Sequence, residues 1–186
     1  MILIGSTARN SGKTTLAVSL IEKYKKQMPV IGIKVTTIDE NNRSCIHGGE
    51  GCGACSSLKG DFEISEEKGQ NPNKDTAMLL AAGAEKVYWL KTINTHIDEG
   101  IEALIAQIPK DTLIICESNT LRKFVNPAVF VMVRNTADSK IKKTAAEVID
   151  QADIVFDNYF DGNFEALINE IEKRLSSFVT VSMPTK

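Results

Sequence analysis

The chain alternates short, continuously apolar runs with longer stretches whose apolar residues recur at helical spacing. Residues 1–4 form an apolar run of the length of a buried strand. Leu16, Leu20, Ile21 and Tyr24 then fall on one helical face, with Glu22, Lys23, Lys25 and Lys26 opposite. Pro29 ends that pattern, and residues 30–35 read as a second buried strand. From 36 to 73 periodicity fades into polar, glycine-rich sequence, so a loop insertion at about 38–73 is expected. A loop that long in a compact domain is usually functional or partly disordered. Regular patterning resumes with a helix over 74–82, stopped by Gly83, and a strand over 86–90. Ile97, Ile101, Leu104, Ile105 and Ile108 make a helical stripe that stops at Pro109. Strands are expected at 112–116, 128–133 and 154–156. Ile141, Ala145, Val148 and Ile149 predict one helix face, and Phe164, Leu167, Ile168, Ile171 and Leu175 another. The tail from Ser176 reads as one more strand (178–181) or as loose chain.

Alternating strands and helices, with strands apolar on both faces, predict an α/β fold. Its expected form is a three-layer α/β/α sandwich around a mostly parallel sheet, in one domain over 1–186. No internal repeat or low-complexity tract interrupts it. The 186 residues are 42% hydrophobic and 25% charged, which suits a globular chain with a substantial core. A net charge of −2 implies no broad basic surface, so nucleic acid is not an expected partner. No apolar run approaches the ~20 residues needed to cross a bilayer. The first residues enter a strand directly, without a signal-peptide layout, so a cytoplasmic location is expected.

Ligands of such sheets sit beyond the carboxyl ends of the strands. Directly after the first strand comes a small-residue loop, residues 5–11, and then Gly12-Lys13-Thr14-Thr15 at the start of a helical pattern. Strand, loop and helix in that order are the context of a P-loop, where loop amides and a helix N-terminus converge on phosphate. Lys13 would lie on the β- and γ-phosphates, and the Thr14 hydroxyl would ligate Mg²⁺. The pattern G-x-x-x-x-G-K-[ST] asks for glycine where Thr7 stands, so the first half of the loop is expected to have a variant shape. Asn10, Ser11, Gly12, Lys13, Thr14 and Thr15 are the expected nucleotide-binding stretch.

Other candidates also follow strands. Glu117 ends the strand at 112–116 and could hold the metal or its water; Cys116 beside it reads as a buried small hydrophobe. Asp39 and Glu40 follow the second strand, and either could reach Mg²⁺ or the water at the γ-phosphate or be a solvated loop charge. Lys34 could neutralise phosphate or simply extend out of the sheet. Asp75 with Thr76 reads as a ligand pair or as a helix start. Asn135-Thr136-Ala137-Asp138 is similar to the N-K-x-D guanine-reading sequence of GTPases, with Thr for Lys. There a carboxylate accepts from guanine N1–H and the 2-amino group, and adenine has neither donor at those positions. Asn and Asp are equally at home in turns. Asn158 is a weaker base-contact candidate.

Cys45, His47, Cys52 and Cys55 lie within eleven residues rich in glycine. The C-x-x-C pair at Cys52 and Cys55 can chelate one metal through a tight turn, and Cys45 or His47 could complete a zinc or iron–sulfur site. The alternative is free thiols or a redox pair in a loop. A site short of one ligand could be completed across a dimer. His96 reads as plain surface.

Taken together, Asn10-Ser11-Gly12-Lys13-Thr14-Thr15-Leu16, Ile33-Lys34, Lys74-Asp75-Thr76 with Ala82-Gly83-Ala84, and Glu117 at a strand end resemble molybdopterin-guanine dinucleotide biosynthesis protein B. That family belongs to the dimer-forming P-loop branch of dethiobiotin synthetase and nitrogenase iron protein. The resemblance covers about the first two-thirds of the chain. It implies a Mg²⁺-dependent GTP-binding homodimer with weak GTPase activity that assists the enzyme attaching GMP to molybdopterin. Departures are Lys34-Val35-Thr36-Thr37 in place of a histidine-bearing stretch, the cysteine-rich segment, and Ser118-Asn119-Thr120 in place of Gly-Phe after Glu117. Two other readings are an ATP-dependent small-molecule ligase or phosphotransferase similar to dethiobiotin synthetase, and a metal-binding dimer switched by nucleotide.

Overall fold

The computed structural model describes residues 1–39, 58 and 60–182. Among these, seven strands form one sheet in the order β3-β4-β2-β5-β1-β6-β7. In chain order the elements are β1 (Ile2–Ser6), α1 (Lys13–Tyr24), β2 (Val30–Ile38), β3 (Phe62–Glu66), α2 (Asp75–Ala81), β4 (Lys86–Ile93), α3 (Ile97–Ile105), β5 (Leu113–Glu117), β6 (Val129–Asn135), α4 (Lys143–Ala146), β7 (Ile154–Asn158) and α5 (Glu165–Ser182). All neighbouring strands pair in parallel except β3, which runs antiparallel to β4 at the edge. The chain is therefore α/β with helices on both faces of a mostly parallel sheet.

Strand side chains alternate between two cores, as the period of two requires. Ile2, Ile4, Ile115, Val131 and Val133 pack beneath α1, α2 and α5 with Leu16, Leu20, Leu79 and Ile171. Leu3, Ile33, Leu90, Phe130 and Met132 pack beneath α3 and α4 with Ile97, Leu104 and Ala145. Both faces are covered, which is why the central strands read as unbroken apolar runs.

Several expectations are corrected. The stretch 36–73 is not all loop. β2 runs on to Ile38, and β3 falls inside it. β3 was missed because Phe-Glu-Ile-Ser-Glu at a sheet edge is only half-buried and carries no continuous apolar signal. The tail is helical rather than a strand or loose, since α5 continues to Ser182. Ile141 is not on a helix face: it is 51% exposed, and α4 begins only at Lys143. Ile105 ends α3 with 39% exposure, so the buried stripe is Ile97, Ile101 and Leu104. No helix among the described residues is long and apolar enough to cross a membrane.

Leu79 of α2 is fully buried and lies over Gly32 of β2, where an added Cβ would come within 3.2 Å of its Cδ1. Leu79→Ala should therefore lower the unfolding free energy by about 2–5 kcal/mol in urea titration. A loss below ~0.5 kcal/mol, the range of a surface change, would show that α2 does not close this face of the sheet.

Candidate functional site

The connection leaving β1 passes to the face of α1, whereas the connection leaving β5 passes to the opposite face, where Leu121 is buried. β1 and β5 are adjacent, so their carboxyl ends flank a crevice of the kind in which open α/β sheets bind ligands. The residues at its rim are Ser6, Lys13, Thr14, Glu117 and, one strand further, Lys34, which stands in register with Glu117.

Thr7 continues β1, donating its amide to Val133 O at 3.0 Å and accepting from the Asn135 amide on Oγ1 at 3.1 Å. The turn comes later, at Asn10 (φ 51°) and Gly12 (φ 86°). Asparagine and glycine are the residues that enter this left-handed region readily. Gly12 is required twice over, because a Cβ there would lie 2.4 Å from Asn158 Nδ2. The buried Ser6 and Ser11 hydroxyls both donate to Ala8 O, at 2.9 and 2.8 Å, and brace the loop from inside.

α1 starts at Lys13 with no side-chain cap, and its first helical bond is Leu16 N–H to Gly12 O. The amides of Lys13, Thr14 and Thr15 therefore end the helix without an acceptor inside it, the arrangement that attracts an anion. Lys13 Nζ donates to Ser6 Oγ at 2.8 Å, inside the crevice. Thr14 Oγ1 donates to Glu117 Oε2 at 3.3 Å. Glu117 is 3% exposed, and its other oxygen, Oε1, is buried with no partner. Burial pushes the Glu117 carboxyl up, and Lys13 and then Lys34 pull it back. Burial likewise pushes Lys13 down, and Glu117 pulls it up. Lys34 is in turn ion-paired with Asp75. An oxygen set of a carboxylate and a threonine hydroxyl suits a hard cation such as Mg²⁺. Among the described residues no group of three or more His, Cys, Asp and Glu could hold a metal.

Of the sequence candidates, Lys13, Thr14 and Glu117 are brought together, with Lys34 beside them. Asp39 stands half-buried just past β2 at the same edge of the sheet. Asn135 engages backbone through its side chain and also lines the recess beside Asp138. Its Nδ2 donates to Arg9 O at 3.3 Å and its Oδ1 accepts from the Ala137 amide at 2.9 Å, so it holds the loop and its own turn. Asp138 is exposed, accepts from the Lys140 amide, and borders a recess of about 430 Å³ whose lining includes Thr7, Arg134, Asn135, Thr136, Ile141, Asp157 and Tyr159. Asn158 is buried and donates to Ser11 O at 3.0 Å, which makes it a clamp on the loop. Thr76 donates to Glu67 at 2.5 Å, so the Asp75–Thr76 pair is engaged within the protein. Cys116 is buried, and its thiol is pushed far up by that burial. Glu40, Cys45, His47, Cys52 and Cys55 lie outside the described residues.

Asn119 carries a role the sequence did not signal. Its Oδ1 accepts from the Ser6 amide at 2.7 Å and its Nδ2 donates to Ser6 O at 2.9 Å. One side chain thus satisfies both backbone groups at the end of β1, where the ladder to β5 has stopped at Ile4–Glu117. No family model, curated protein or solved structure matches this chain.

Asn119→Ala leaves two backbone groups of Ser6 unpaired and should cost about 1–3 kcal/mol by urea unfolding. A variant as stable as the parent would mean that the end of β1 is held by other contacts.

Proposed function

We propose that the chain is a P-loop protein that binds a nucleoside triphosphate with Mg²⁺ and hydrolyses it weakly. One observation carries the reading: an uncapped helix start, a lysine ammonium and a buried carboxylate with an unpartnered oxygen converge between β1 and β5. The first two ask for an anion and the third for a cation, and a triphosphate with its metal satisfies both. The amides of Lys13, Thr14 and Thr15 would take phosphate oxygens, and Lys13 Nζ would exchange Ser6 Oγ for them. Thr14 and Glu117 would hold Mg²⁺, which supplies charge neutralisation on the β- and γ-phosphates. Asp39 would orient a water at the open end. Positioning and charge, rather than covalent chemistry, supply the rate in such sites.

We take GTP as the preferred nucleotide, with Asp138 at the recess as the carboxylate that reads guanine. The resemblance to molybdopterin-guanine dinucleotide biosynthesis protein B supports a cytoplasmic homodimer serving the cofactor-assembly enzyme of that pathway. Metal at Cys45, His47, Cys52 and Cys55, zinc or iron–sulfur, is part of the same proposal. Thr136, standing where the guanine-reading pattern has lysine and donating its hydroxyl to Asn158 O at 2.7 Å, favours a second reading. In that reading ATP drives a small-molecule ligation or phosphoryl transfer.

Calorimetric titration of GTP and ATP with Mg²⁺ into the wild type and Lys13→Ala tests both. Lys13→Ala should weaken triphosphate binding by about 3 kcal/mol, roughly a hundredfold. Unchanged affinity contradicts the phosphate role of Lys13, and a clear preference for ATP moves the assignment to the second reading.

A further inference from the structure

The segment between β6 and α4 reaches the loop from the far side of the sheet and carries a further cation, Lys142. Lys142 immediately precedes α4, and its amide donates to Thr7 O at 2.8 Å, which pins the residue against the end of β1. α4 packs Ala145 into the core opposite α1, so Lys142 arrives from the face across the sheet from Lys13. The Lys142 ammonium is half-buried, and its pKa is pushed down to about 8, first by burial and then by Lys13 and Arg9. The charged groups acting on it are thus both of its own sign. The charges flanking it in its own segment, Asp138, Lys140 and Lys143, are exposed, and Asp138 accepts from the Lys140 amide.

Lys13 is held at Ser6 and Lys142 at Thr7, adjacent residues at the end of one strand, and like charges so placed repel each other less when an anion lies between them. A compact anion spans only a short distance between ammonium groups. A polyphosphate has several non-bridging oxygens and can span two. Ile141, the residue before Lys142, lines the recess with Asp138, and Lys13 Nζ lies on Ser6, the residue before Thr7.

Resting on the triphosphate reading, we propose that Lys142 is a second polyphosphate-binding lysine, gripping from the α4 face the same anion that Lys13 grips from the α1 face. The β6–α4 segment then does two jobs, walling the recess with Asp138 and Ile141 and closing on the phosphates with Lys142. The loop and this segment are joined by the Thr7 bond, so phosphate binding would order both together.

The test titrates Mg²⁺-GTP, Mg²⁺-ATP and inorganic tripolyphosphate into the wild type, Lys142→Met and Lys142→Arg. Lys142→Met should weaken whichever triphosphate the wild type binds, and tripolyphosphate with it, by about tenfold or more. Lys142→Arg should stay within about threefold of the wild type, because the charge is kept. Lys142→Met binding triphosphate as tightly as the wild type overturns the proposal and leaves the triphosphate reading standing. A wild type that binds none of the three overturns that reading, and this proposal with it. A second measurement does not depend on the variants folding. With the wild type at neutral pH, a dilute acylating reagent should label the Lys142 amine, and saturating triphosphate should protect it. Equal labelling with and without a triphosphate that binds overturns the proposal.

Discussion

A carboxylate sealed from water with one oxygen unpartnered is the most demanding group among the described residues. Glu117 ends the strand beside β1, is 3% exposed, and has only the Thr14 hydroxyl within hydrogen-bonding reach of its other oxygen. Burying a charge without full pairing costs several kcal/mol. Lys13 and Lys34 offset part of that cost through their charges. Neither contact completes the carboxylate's shell. The fold keeps this arrangement, and the surrounding clamps serve to hold it.

Those clamps come from distant parts of the chain. Asn119, just after β5, fixes both backbone groups of Ser6. Asn158, at the end of β7, fixes the Ser11 carbonyl and sits where only glycine at position 12 leaves room. Asn135, at the end of β6, holds Arg9 O. Three asparagines from three strand ends thus position one loop, each spending its amide on backbone. The parallel strands make this possible, because they bring the carboxyl ends of β1, β5, β6 and β7 to the same edge.

The sequence exposed the fold where burial is complete on both faces and hid it where burial is partial. The central strands were legible because Ile2, Leu3, Ile4 and residues 129–133 are buried on alternating sides, leaving no polar position. α1 was legible from Leu16, Leu20, Ile21 and Tyr24, all buried. β3 was not, because an edge strand needs one covered face at most. The candidate site divides the same way. Gly12, Lys13 and Thr14 are contiguous, and Glu117 ends an apolar run, so spacing alone marked them. Asn119, Asn158 and Lys142 act over long separations, the first two across 113 and 147 residues. Lys142 is one of three lysines in Lys140-Ile141-Lys142-Lys143, and no periodicity says which one turns toward the loop.

The proposed chemistry requires phosphate and metal to meet between β1 and β5. A crystal structure with Mg²⁺ and a non-hydrolysable triphosphate analogue tests it most directly. Phosphate oxygens are expected on the amides of Lys13, Thr14 and Thr15, with Mg²⁺ held by Thr14 and Glu117. An analogue bound elsewhere, with Lys13 still on Ser6 and Glu117 Oε1 still unpartnered, would contradict it.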